Sequence, residues 1–209
     1  GRRDHIAALP PSGEVAVQRD PQGGVGELVV ARSRQQLSCA PVADALVDQS
    51  IEVGIMRPLG LPDSLSVVEL MREPLVAVLS SKHPLAQGSE EGLFLSALAL
   101  EPFVFFPRSY GSGLYAQLLS LARDAGFSPH FAQEAGEAMT IIGLVAAGLG
   151  VSVLPASYQR MRIDGVVYRP LLDSEAVSAV WLVQRKDQKS PMAKAFVELL
   201  TRKVEPSKG

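Results

Sequence analysis

The chain has 209 residues, 47% hydrophobic and 20% charged, which is material for a sizeable core and excludes a disordered tail, a fibrous repeat or a coiled coil. A formal charge of −2 and a pI near 6.0 leave no global basic field to draw it onto nucleic acid or a membrane. The single cysteine, Cys39, excludes an internal disulfide and any multi-cysteine metal site, and suits a reducing compartment.

Residues 1–26 carry turn chemistry in Pro10-Pro11-Ser12-Gly13 and Pro21-Gln22-Gly23-Gly24, with little else to read. Leu28-Val29-Val30 predicts a short strand. Pro41 to Gln49 predicts a helix with proline in its first turn. Ile51–Met56 predicts a strand, and Val67–Leu79 one or two more around Pro74. Lys82-His83-Pro84 opens a polar loop in which His83 is expected to be solvated, and Ser96 is expected to cap a short helix reaching Leu100. Phe103–Phe106, bounded by prolines, suits a fully buried strand. From Ser112-Gly113 a helical period follows, with Leu114, Leu118, Leu119, Leu121 and Ala122 on one face and Gly126 as the stop. Strands are expected at Phe131–Ala135, Val151–Leu154, Val166–Tyr168 and Ala176–Gln184. Helices are expected at Glu137–Leu149 and Ala156–Met161. Ser190-Pro191 opens a last helix with Ala195, Phe196, Leu199 and Leu200 on its apolar face. Strands alternating with helices argue an α/β protein with mostly parallel sheets.

The apolar stretch Thr140–Ala156 is broken by three glycines and falls short of a membrane span, and the first residues predict no signal peptide. No catalytic constellation is readable. His5, His83 and His130 lack the spacing of a metal site, and there is no nucleophile elbow or phosphate loop. Gly148-Leu149-Gly150 lacks the third glycine of a dinucleotide fingerprint and follows a helix instead of a strand. No catalytic residue, metal or cofactor is therefore expected.

Two features suit a ligand site. Gly111-Ser112-Gly113 follows a buried strand and opens a helix, where unpaired N–H groups attract anions. It reads equally as a turn with Ser112 as N-cap. Arg57, at the carboxyl end of a strand, suits a bidentate carboxylate contact or a salt bridge between elements. Ser38-Cys39-Ala40-Pro41 lies at a further strand-to-helix junction.

Several segments resemble one family in its own order along the chain. Ser50-Ile51-Glu52-Val53-Gly54-Ile55-Met56-Arg57-Pro58 is similar to the G-R-I-D-V-G-(I/F/L)-x-R-P strand of LysR-type transcriptional regulators. Glu73-Pro74-Leu75-Val76-Ala77-Val78-Leu79 and His83-Pro84-Leu85-Ala86 resemble its E-x-L-V-x-V and H-P-L-A segments. Glu101-Pro102-Phe103-Val104 and Gly126-Phe127-Ser128-Pro129 resemble x-P-F-I and G-F-x-P. Leu144–Val151 with Leu154-Pro155-Ala156-Ser157 matches L-V-A-A-G-L-G-V-x-x-L-P-A-S. Arg57-Pro58, the Pro107–Tyr115 loop and Tyr168-Arg169-Pro170-Leu171-Leu172-Asp173 further resemble the subgroup that senses benzoate, muconate and related carboxylates.

The resemblance implies the effector-binding domain of such a regulator, with a type 2 periplasmic-binding-protein fold of two α/β subdomains joined by two crossover strands. Residues 1–73 with 169–209 would form subdomain I and 74–168 subdomain II, with crossovers at Met71–Val76 and Val166–Leu171. By the same resemblance, Ser38, Cys39, Arg57, Gly111, Ser112, Gly113 and Leu114 would bind a small effector, a carboxylate, in the cleft. Homo-oligomers through regulatory domains are implied, in the cytoplasm and without membrane contact. DNA would be bound only through an N-terminal domain absent from this chain. The family's first strand and long first helix do not match here: Leu9-Pro10 runs into Pro11-Ser12-Gly13. A solute-binding protein of a transport system, which shares the fold, is the alternative reading.

Overall fold

The computed structural model describes residues 15–18, 30–31, 39–57, 60–87, 91–108 and 113–204. Its strands are β1 (Val15–Gln18), β2 (Val30–Ala31), β3 (Ile51–Met56), β4 (Leu65–Ser80), β5 (Pro102–Phe105), β6 (His130–Glu134), β7 (Ser152–Pro155), β8 (Val166–Pro170) and β9 (Val177–Arg185). Its α-helices are α1 (Cys39–Val47), α2 (Gly113–Asp124), α3 (Ala138–Ala146) and α4 (Pro191–Val204).

The long strand β4 organises the molecule. It runs unbroken through Pro74, where one or two strands were open readings. Its first part, residues 65–74, pairs with β9, and β9 also pairs with β3. Its last part, residues 75–80, is flanked by β7 and β8. One strand therefore belongs to two packed bodies. In the first body, α1 brings Val42 and Leu46 onto Ile51, Met56, Leu65 and Val183. There α4 lays Ala193, Phe196, Val197 and Leu200 against Val53, Ile55, Leu70 and Leu182. The second body has the larger core, from Leu75 to Ala176. It contains α2, α3 and the parallel pair β5–β6, with Phe103, Phe105, Tyr115, Phe127 and Phe131 in ring contact.

The ladders correct the expectation of mostly parallel sheets. Among the described residues the ladders between named strands are antiparallel except β5–β6, and isolated parallel bridges join Phe103 to Val151 and Leu93 to Leu171. The cause is that β4 runs from one body into the other while β9 crosses back beside it in the opposite sense, and β7 and β8 lie antiparallel against its second half. The return also lies later than expected. The strand β8 pairs only with the second-body part of β4, and Val166, Leu171 and Ala176 all pack in the second core. The chain passes back between the bodies only after Ala176, where β9 begins.

Helix phase brings smaller corrections. In α2, Leu114, Leu118, Leu121 and Ala122 are buried but Leu119 is exposed. In α4 the inward row is Ala193, Phe196, Val197 and Leu200, at i, i+3, i+4 and i+7, which leaves Ala195 and Leu199 outside. Gly126, at φ +87°, ends α2 as expected, because only glycine adopts that conformation without strain. Ser96 caps nothing: the short 3-10 helix runs Leu95–Leu98, with Phe94 before it. The Leu95 N–H instead donates to Asp173 Oδ2 at 2.7 Å.

Candidate functional site

The two bodies meet beside Arg57, the residue after β3. Its Nη1 donates to the Ser178 hydroxyl and its Nη2 to Glu73 Oε1, the latter at 3.2 Å. Glu73 and Ser178 face each other across the β4–β9 ladder, which sets both on one side of the sheet. Both are buried, Glu73 at 8% exposure. The second carboxylate oxygen, Glu73 Oε2, accepts the Ser157 backbone N–H at 2.8 Å. Ser157 lies in the 3-10 helix Ala156–Met161 that follows β7 in the second body. A buried carboxylate is tolerated when charge-assisted bonds occupy its oxygens, as they do here.

The second body also approaches through α2. A β-carbon on Gly113 would collide with the Arg57 carbonyl oxygen and lie 3.0 Å from its carbonyl carbon. One turn further along, Gln117 Nε2 donates to the carbonyl of Val177 on β9. The start of α2, with N–H groups that have no partner within the helix, is thus set against the backbone of Arg57.

Of the residues expected to bind a ligand, Arg57 and Gly113 are brought together. Leu114 is 5% exposed in the second core, so its side chain is committed there and only its backbone N–H is left for a ligand. Cys39 begins α1, and its side chain lies outside the described residues, as do Ser38, Gly111 and Ser112. The sequence reading missed Glu73, Ser157, Ser178 and Gln117. The available signal was Glu73, an acid placed just before proline inside a strand-forming run.

Two other stretches have structural work. His83 is not solvated: its Nδ1 accepts the Leu85 N–H at 3.2 Å and its Nε2 lies 3.3 Å from Glu101 Oε2. Arg169, 6% exposed, donates from Nη1 to the Leu85 carbonyl at 3.0 Å and from Nη2 to the Gly92 carbonyl at 3.3 Å. With Asp173 on the Leu95 N–H, Arg169 and Asp173 brace the backbone at Leu85, Gly92 and Leu95. No helix in the described residues is long and apolar enough to cross a membrane.

The family described as the LysR substrate binding domain matches residues 33–205. The chain belongs to that family. It is 44% identical over 152 residues to the HTH-type transcriptional regulator YnfL of Escherichia coli K12, covering 72% of this chain and 50% of that protein. It is 40% identical over 136 residues to the HTH-type transcriptional regulator CatR of Pseudomonas putida, covering 65% and 46%. Among solved structures, the BenM effector binding domain with its effector benzoate aligns at a TM-score of 0.70 and 26% identity, over 79% of this chain and 75% of that one. The LysR effector-binding domain shares with it the type 2 periplasmic-binding-protein fold. This chain spans about half the length of the curated relatives it matches.

Proposed function

We propose that this LysR effector-binding domain takes a small organic anion, a carboxylate, in the cleft between its two bodies. The observation that carries the reading is the seating of α2's first turn on Arg57. It sets the positive end of a helix dipole against the backbone of the residue whose guanidinium holds Glu73 and Ser178 at the seam of the two bodies. The benzoate in the BenM domain supports the ligand class. In this reading the chain through Glu73, joined again after Ala176, forms one subdomain, and residues 74–176 form the other. Ser38, Cys39 and the 111–114 loop complete the cleft.

A ligand acts on such a domain only by binding one arrangement better than another. Occupancy would bias how regulatory domains pack in a homo-oligomer, and so how the full-length cytoplasmic regulator sits on DNA. DNA contact belongs to a separate domain of that regulator. No catalytic step, metal or cofactor enters this mechanism.

A thermal-shift series with benzoate and small aliphatic carboxylates tests it. A binder at 100 times its dissociation constant adds about 2.7 kcal/mol of stability. That is a rise of several degrees for a chain of this size. No rise with any carboxylate at millimolar concentration would remove the reading.

A further inference from the structure

We propose that Glu73 is a positioning residue that ties the two bodies, so that they separate only when one of its bonds breaks. Its two oxygens serve different bodies: Oε1 takes the Arg57 guanidinium of the first and Oε2 the Ser157 N–H of the second. The residue stands at the crossing itself. Leu70 packs in the first body and Leu75 in the second, with Glu73 between them on the same strand.

The carboxylate cannot follow both partners if they move apart. Its strand is fixed to β9 by the pairings Glu73↔Ser178 and Pro74↔Val177. Little water reaches it, so a broken bond is not readily replaced by solvent. Two further junction contacts, Gly113 on Arg57 and Gln117 on the Val177 carbonyl, lie on the same seam and would loosen with it. The tie concerns the free domain and goes beyond the effector reading, so loss of either claim leaves the other open to its own test.

The experiment is amide hydrogen exchange on the ligand-free domain for wild type, Glu73→Ala and Glu73→Gln, with circular dichroism to confirm the fold. For Glu73→Ala we expect about tenfold or faster exchange in residues 157–161 and in the second turn of α2, residues 117–120. Core amides at Leu154 and Leu182 should keep their rates. Glu73→Gln retains an oxygen for one partner and should fall between the two. Should the alanine variant fail to fold, the glutamine variant decides by the same pattern. Junction amides exchanging at wild-type rates would overturn the tie. So would acceleration spread evenly through both cores, which is the mark of general destabilisation.

Discussion

Gly113 and Arg57 are in backbone contact: the first residue of α2 has no room for a β-carbon over the Arg57 carbonyl. The obstacle is main chain, which no rotamer change can clear. Gly113→Ala should therefore push α2 off Arg57 and cost about 1–3 kcal/mol, as overpacking does. The melting temperature of the free domain should fall, and carboxylate binding should weaken with it. An unchanged melt would show that the two elements are not seated on each other.

Arg57→Lys keeps the charge but not the planar fork. The sequence reading leaves the guanidinium a carboxylate ligand or a salt bridge between elements, and its nitrogens serve Glu73 and Ser178. An ammonium cannot reproduce both bonds in that geometry. Most of the effect should thus fall on the free domain, about 1–3 kcal/mol of stability. Titration calorimetry beside unliganded melts separates the two roles. A tenfold loss of affinity with an unchanged melt would assign Arg57 to the ligand directly.

Arg169 braces a loop, and its removal should be felt there. Arg169→Met keeps much of the stem but leaves the Leu85 and Gly92 carbonyls without their donor. A loss of about 1–3 kcal/mol is expected, with faster proteolysis within residues 82–92. Carboxylate affinity measured well below the melting temperature should change little. A large drop in affinity would place the segment 168–173 in the effector site instead.

Tyr168 supplies a pH dependence. Burial raises its phenol above the ordinary value, and its hydroxyl has no hydrogen-bond partner among the described residues. An acid whose folded pKa is raised binds more protons folded than unfolded at alkaline pH. Stability should therefore decline as pH climbs past about 10, where the unfolded phenol ionises. Tyr168→Phe should remove that share of the alkaline slope. It should cost nothing at neutral pH, since no hydrogen bond is lost. Parallel slopes for the two proteins above pH 10 would refute this.

Local chemistry was legible in the sequence where a single element declared itself. The apolar run at Phe103–Phe106, the glycine stop at Gly126 and the Ser190-Pro191 helix start all appear, the last with the Ser190 hydroxyl accepting the Ala193 N–H at 3.3 Å. Strand sense was not legible, because hydrophobic runs carry no direction. Antiparallel pairing follows from β4 and β9 passing the junction in opposite senses, a property of the whole path. At the site, Arg57 was visible as a charge at a strand end. Its partners Glu73 and Ser178 are 16 and 121 residues away, and only the β4–β9 register brings them together.

The position of β9 also governs the order in which the chain can assemble. The second core is drawn from one continuous stretch, Leu75 to Ala176. The first needs β9 as its middle strand, between β3 and β4, and α4 as cover. As the polypeptide leaves the ribosome, β3 and the leading part of β4 must wait more than a hundred residues for that strand. At about 5–20 residues per second this is on the order of ten seconds. The second body, built from the middle of the chain, can complete itself first and then serve as the template on which the earlier-made strands close.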